Sequence, residues 1–234
     1  MSNPANTAVL FGASGGLANA LAEDLLARGW KVDLVSRAAR SGVVGERFAS
    51  AIAAGNARVF SVGGSYAEFV PAQPYQAYVF AQALFEPKLL VETADSRIEQ
   101  EIAVGLADPI LLTRDILKAH PAEPTVRRDF AFIGSTSAYA GFKKTAVYCA
   151  VKHGLLGFVR AMNDEYSLTE TRFWLFSMGT MNTEMGALLV DQEPASFLQP
   201  EDVARRIADS LAASSNVFEP EILMRRRKIL FKKK

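Results

Sequence analysis

Two side chains able to move a proton stand four positions apart in the stretch Tyr148-Cys149-Ala150-Val151-Lys152. On a helix that spacing is roughly one turn, so Tyr148 and Lys152 would project from one face. A phenol ordinarily loses its proton near pH ~10; a nearby ammonium favours the phenolate, and a tenfold change in that equilibrium is worth about 1.4 kcal/mol. Such a pair could trade a proton with a substrate near neutral pH. Ser135, thirteen positions upstream, closes the apolar run Phe130-Ala131-Phe132-Ile133, where its hydroxyl could hold a substrate oxygen. A Tyr-x-x-x-Lys pair alone is commonplace on helix surfaces. Its weight comes from the elements around it.

The first of these is the apolar run Thr7-Ala8-Val9-Leu10-Phe11, which reads as a buried strand leading into Gly12-Ala13-Ser14-Gly15-Gly16-Leu17-Ala18. A helical period follows over residues 17–28, with Gly29 where a C-terminal cap belongs. Strand, glycine-rich turn and helix in that order make an anion site, because unpaired N–H groups and the helix dipole point into the turn. The spacing is Gly-x-x-x-Gly-x-Ala, not the commoner Gly-x-Gly-x-x-Gly, and no Gly-Lys-Ser/Thr follows to make a P-loop. The plainer reading is a turn that only packs a strand against a helix. About 20 residues on, the second strand (31–37) ends in Ser36-Arg37, where a dinucleotide fold meets the adenosine ribose. An acid there would indicate NAD. Arg37 suits a 2′-phosphate and so NADP(H) rather than NAD(H).

Further strands are expected at 57–62, 75–81, 127–133, 172–176 and 218–224, and helices at 45–55, 95–120, 147–168 and 199–213, the second with its pattern interrupted near Asp108-Pro109. Strands alternating with helices throughout predict an α/β fold, a doubly wound parallel sheet of Rossmann type in one domain over residues 1–224. Residues 225–234 form a basic tail with seven cationic side chains and no acid. Removing these from the formal +1 of the chain leaves the preceding residues at −6. The tail is either a solvated end or a site for an anionic partner, a phosphate-bearing carrier or an anionic lipid surface, with Ile229-Leu230-Phe231 as an apolar anchor. An acidic body without a recognisable module speaks against nucleic acid.

The chain has 234 residues, half of them apolar, which suits a large buried core. Cys149, its single cysteine, cannot form an intrachain disulfide. With no membrane-length apolar run and no basic region at Met1-Ser2-Asn3-Pro4, the expectation is a cytoplasmic protein without integral membrane association. His120 and His153 with Cys149 make no metal site, and Cys149 has no evident base. The strand aromatics Phe130, Phe132, Phe173, Trp174 and Phe176 read as core. Phe142, Met185 and Phe197 are candidate walls of an apolar substrate pocket.

Taken in order, Gly12-x-x-x-Gly16-x-Ala18, Phe80-Ala81-Gln82-Ala83, Ser135, Tyr148-x-x-x-Lys152 and Met178-Gly179-Thr180 with Thr183 resemble the short-chain dehydrogenase/reductase family over nearly the whole chain. The resemblance implies that Tyr148 donates a proton to a carbonyl oxygen or accepts one in reverse. It implies that Lys152 lowers the phenol's pKa and holds the nicotinamide ribose, and that Ser135 orients the carbonyl. Gly12, Ser14, Gly15, Gly16 and Leu17 would line the diphosphate, Ser36 and Arg37 the adenosine ribose, and Ala81, Gln82 and Ala83 the path between adenosine and nicotinamide. Gly179, Thr180 and Thr183 would sit near the carboxamide and diphosphate. A homodimer or homotetramer through the long helices is also implied.

Some positions depart from the family's pattern. Ala18 replaces the third glycine, Ala83 a glycine, Gly63 or a neighbour an aspartate, Met178 a proline, and Gly105 the asparagine that would complete the catalytic set. The reading is an NADP(H)-dependent reductase of a small, apolar or ring-bearing carbonyl compound, or a dehydrogenase of the corresponding alcohol. The alternatives are a cofactor-binding protein of the same fold with little turnover, and a non-redox isomerase or dehydratase using Tyr148 and Lys152.

Overall fold

The computed structural model describes residues 6–213 and 217–232. Seven strands form one parallel sheet: β1 (Thr7–Phe11), β2 (Lys31–Arg37), β3 (Ala57–Val62), β4 (Ala77–Phe80), β5 (Arg128–Ile133), β6 (Thr171–Met178) and β7 (Glu221–Met224). Their order is β3-β2-β1-β4-β5-β6-β7, every neighbouring pair parallel. The chain winds outward from β1 in one direction, then returns to β4 and winds in the other. A crevice therefore opens at the carboxyl ends of β1 and β4. The doubly wound Rossmann-type sheet expected from the alternating pattern is the fold observed.

The helices are α1 (Gly16–Ala27), α2 (Ala38–Arg47), α3 (Ala49–Ala53), α4 (Asp95–Ile102), α5 (Asp108–Ala119), α6 (Ala146–Glu165) and α7 (Pro200–Ala212). Alternation along each strand divides the core into two layers. Ala8 and Leu10 of β1 pack with the α1 and α7 side chains Leu21, Leu25, Ile207 and Leu211. Val9 and Phe11 face the other way, toward Leu112 and Ile116 of α5 and Leu155 and Val159 of α6. On that second face the rings of Phe11, Phe80, Phe130, Tyr78 and Phe173 form a stacked row across four strands. These rings are fully or almost fully buried, so the strand aromatics hold the sheet rather than a ligand.

Besides shifts of a few residues at element ends, three features differ from the sequence reading. The helix expected at 45–55 is two, α2 and α3, beginning directly after β2. The stretch 95–120 is α4, then a single wide π-helical turn at Ala103–Ala107, then α5. Pro109 has no N–H to offer the Gly105 carbonyl four residues back, which favours the wider ladder. The tail is no free end where it is described. Glu193 N–H donates to the Leu230 carbonyl at 2.8 Å and Lys232 N–H to the Asp191 carbonyl at 3.0 Å, so the chain runs back along the segment after β6. Lys233 and Lys234, like Met1-Ser2-Asn3-Pro4, lie outside the described residues. Among the described residues no helix is long and apolar enough to cross a membrane.

Candidate active site

At the end of β1 the chain turns at Gly12 with φ +81°, a left-handed conformation that glycine adopts without strain. A Cβ there would stand 2.5 Å from the Gln82 backbone nitrogen. Glycine is therefore required for the segment leaving β4 to cross the turn. Gly12 and Ala13 N–H groups both donate to the Val35 carbonyl, at 3.0 and 3.1 Å, fastening the turn to β2. Ser14, Gly15 and Gly16 are left exposed at the amino end of the twelve-residue helix α1. The first N–H groups of such a helix lack intrahelical partners and favour an anion. Gln82 lies beside this turn, 5% exposed, with neither amide atom bonded within the protein. A buried amide seldom goes without a partner, so turn and amide together fit the diphosphate of a dinucleotide. Leu17 is buried beneath the turn, and Ala81 and Ala83 are half-buried beside Gln82.

At the end of β2, Ser36 and Arg37 part company. Ser36 is fully buried and turns its hydroxyl toward the Arg37 carbonyl at 3.4 Å, so it offers no surface to a ribose. Arg37 is exposed and has no carboxylate at ion-pair distance among the described residues. It leans on Tyr66: burial raises that phenol's pKa, and the charge and hydrogen bonds of Arg37 act the other way. Beyond β3, the Glu68 carboxylate accepts from the N–H groups of Gly63, Gly64 and Ser65 at 3.0–3.1 Å, tying down the loop that departs from the family's aspartate.

Ser135 follows β5 and opens a short turn (Thr136–Ala138), where its Oγ accepts the Ser137 N–H at 3.1 Å. Tyr148 and Lys152 lie one turn apart on α6, facing the end of β5 as the spacing requires. Lys152 is 2% exposed; its Nζ donates to the Ile133 carbonyl at 2.7 Å and sits 5.5 Å from the centre of the Tyr148 ring. Ser135 stands near enough to Tyr148 to lower the phenol's pKa. The Phe85 ring, on the segment leaving β4, stands edge-on to Tyr148 at 4.9 Å. The three positions separated in sequence thus converge.

Burial dominates their electrostatics. Burial pushes the Tyr148 phenol up to about 12; Ser135 pulls it down, and Cys149 and Glu101 push it further up. Desolvation lowers Lys152 to about 8. Taking each group out of water is the largest influence on both. What stands at the site is a neutral phenol, able to give a proton.

Gly105 occupies the wide turn between α4 and α5, against α6. A Cβ on it would lie 2.7 Å from Val151 Cγ1, and one on Gly154 would lie 2.9 Å from Leu106 Cδ2. The two segments meet through these glycines, each receiving an aliphatic side chain of the other. The distortion exists without an asparagine.

After β6, Gly179 pairs with Met224 through its N–H at 3.0 Å. Thr180 Oγ1 is 3.5 Å from Gln192 Oε1, and Thr183 Oγ1 accepts the Gly186 N–H at 3.2 Å. A Cβ on Gly16 would lie 2.9 Å from Thr183 Cγ2, so this segment closes onto the glycine turn. Of the proposed pocket walls, Phe142 and Met185 are exposed, but Phe197 is buried with Arg226 over its ring at 5.6 Å. Phe197 is thus a foundation for the tail rather than a wall. His120 and His153 bond the carbonyls of Pro71 and Cys149, and Cys149 is buried against Thr145. None of the three enters the site.

Two residues escaped the sequence reading. Arg40, one turn after Arg37 on α2, forms an exposed 3.6 Å ion pair with Glu184 across to the segment after β6; the Arg-x-x-Arg spacing could have flagged it. Glu101 is buried and lines one small pocket with Tyr148. A glutamate in a polar helical stretch gives no signal of burial.

The family model for short chain dehydrogenase matches residues 83–194, a segment containing Ser135, Tyr148, Lys152, Gly179, Thr180 and Thr183. A sepiapterin reductase from Chlorobaculum tepidum is 28% identical over 94 residues, 40% of this chain and 38% of that protein, so the match spans well under half of the relative. Among solved structures, a short-chain dehydrogenase/reductase from Brucella melitensis aligns at TM-score 0.80 and 21% identity, covering 94% of each chain. A metagenomic short-chain oxidoreductase in complex with NADP aligns at 0.77 and 23%, covering 95% of this chain and 98% of the other. A 4-hydroxyisoleucine dehydrogenase complexed with NADH and succinate aligns at 0.78 and 18%, covering 94% and 97%. At these identities the structures establish the fold, and over residues 83–194, just under half of its length, the chain is similar to the short chain dehydrogenases.

Proposed function

We propose that the chain is an NADP(H)-dependent oxidoreductase that reduces the carbonyl of a small, apolar or ring-bearing compound, or oxidises the corresponding alcohol. The observation that carries this is the convergence of Ser135, Tyr148 and Lys152 beside a glycine turn fit for a diphosphate. Ser14, Gly15, Gly16 and Leu17 with Gln82 would hold the diphosphate, and Ala81 and Ala83 would flank the path to the nicotinamide. Gly179, Thr180 and Thr183 would close over it, and Tyr148 and Lys152 would face the nicotinamide ribose. Once bound, the nicotinamide would supply or take the hydride.

The chain's own residues do the proton work. In reduction the substrate oxygen gains negative charge, and the Tyr148 phenol gives it a proton. Ser135, standing near Tyr148, would hold that same oxygen in place. Lys152, fixed to the Ile133 carbonyl, keeps a cationic or polar head beneath the ring. The preference for NADP(H) rests on Arg37, exposed and without a carboxylate partner among the described residues, with Arg40 one turn beyond. Exposed Phe142, Met185, Leu188 and Val190 support an apolar substrate.

A cytoplasmic homodimer or homotetramer built through α4, α5 and α6 is part of the proposal. It is supported by the exposed Ile102 on α4 and by open space over Gly157 on α6. Cofactor consumption against a panel of carbonyl compounds, with NADPH and NADH binding measured in parallel, tests the reading. Tight binding without turnover would point to a binding protein. Substrate conversion with no net change in cofactor would point to an isomerase or dehydratase.

A further inference from the structure

Every proton that Tyr148 gives away has to be replaced before the next turnover, and the phenol is only half-exposed. Lys152, whose Nζ donates to the Ile133 carbonyl, is itself sealed from water and so has no direct supply of protons from solvent. Gly105 on the facing turn has no side chain to offer. A buried proton-carrying group beside the phenol is Glu101 on α4, which is 4% exposed. Glu101 and Tyr148 line the same pocket, which has about 10 Å³ of free space, room for roughly one water. The outer rim of that pocket carries Lys88 and Lys144 in exposed positions with Glu86 beside them, so it opens to solvent. Lys144 holds φ +66°, with its carbonyl accepting the Lys88 N–H at 2.9 Å, which fixes this rim in a conformation uncommon for lysine.

We propose that Glu101 is the proton-relay residue of this site, passing protons between solvent and Tyr148 through a single water in the shared pocket. The proposal rests on the oxidoreductase reading above. In reduction the Tyr148 O–H bond breaks as the proton moves to the substrate oxygen. The phenolate then takes a proton from the water, the water takes one from the Glu101 carboxyl, and Glu101 is reprotonated from solvent. One proton enters for each proton delivered and no electron moves.

The groups facing Glu101 are Arg97 on its own helix, with Nε at 3.2 Å from its carboxylate and 3.4 Å from that of Glu86, the Glu86 N–H, Lys88 and Lys144 at the rim, and Tyr148 on α6. Burial raises the Glu101 carboxyl above its ordinary range, and Arg97 opposes this, so the group holds a proton further up in pH than an exposed glutamate. The plainer role, an ion pair tying the segment before α4 to that helix, makes different predictions.

The test uses the full chain with Glu101→Gln and, independently, Arg97→Gln. For the wild type, reductive turnover should fall as pH rises through the Glu101 ionisation. Glu101→Gln should lower kcat at least about tenfold with KM little changed, abolish that fall, and be rescued in proportion to added formate or imidazole. Arg97→Gln should move the fall to higher pH, since removing the cation further disfavours the carboxylate. A readout without substrate is the ultraviolet titration of Tyr148, assigned by difference from Tyr148→Phe: Glu101→Gln should shift it to lower pH by removing a negative charge. An unshifted Tyr148 titration, or a loss of kcat with an unchanged pH profile and no rescue, overturns the proposal. If no carbonyl compound is turned over, the oxidoreductase reading fails, while the Tyr148 titration still decides whether Glu101 is coupled to the phenol.

Discussion

Tyr148 and Lys152 meet because of helical spacing, but their charge states are set by burial. Lys152 has its folded pKa lowered to about 8 from 10.5, so between these values the unfolded chain binds more protons than the folded one. The buried ammonium costs on the order of 3 kcal/mol below pH ~8, and this cost fades as pH rises toward ~10.5. The stability of the wild type relative to Lys152→Met should therefore increase across that window; denaturant titrations of both at pH 7.5 and 10 measure it, and a flat difference would remove the buried charge. Arg37→Ala should weaken NADPH at least about tenfold more than NADH, since only the former carries the 2′-phosphate; equal losses in calorimetry would undo the cofactor assignment. Position in the chain revealed these residues. Spacing alone did not reveal how far both groups are desolvated, because depth depends on the β5 carbonyl end and on Phe85, which come from distant segments.

At the scale of elements, contact between α6 and the turn after α4 depends on two absent side chains. Gly105→Asn would drive a side chain into Val151 and should lower stability by about 1–3 kcal/mol, with Val151→Ala relieving part of it in the double variant. Additive losses in thermal melts would show that the two do not touch. Gly12→Ala should do more harm, combining a strained φ with a clash against the β4–α4 backbone, and should abolish cofactor binding along with stability. Strands were legible as apolar runs bounded by turn residues, and all seven are found. The helix α2 was not, since only Val44 of Ala38–Arg47 is buried and the stretch has no apolar period to read. Its two glycines face open space and are tolerated. The wide turn was visible only as a broken pattern near Pro109; that Gly105 exists to admit Val151 is a fact about another helix.

At the scale of the whole molecule, everything assigned to the site lies on one rim of the sheet. The glycine turn, Arg37, Gln82, Ser135 and Thr180 all follow the carboxyl ends of strands, the region that strand order alone designates. The segment after β6 closes this rim, and the tail fastens that segment through Leu230 and Lys232. Ending the chain after Met224 should leave the sheet intact and raise hydrogen exchange in residues 186–197 at least several-fold; unchanged protection there would mean the strap carries no load. A run of lysines and arginines at a chain end reads as solvated, and its backbone pairing has no sequence signature.

The central claim is that Tyr148 is the proton donor of a nicotinamide-dependent reduction, and single-turnover oxidation of bound NADPH by a carbonyl substrate in the wild type and in Tyr148→Phe tests it most directly. The account predicts a rate lower by more than ~100-fold in the variant, with NADPH affinity nearly unchanged. Equal rates in the two proteins would contradict it.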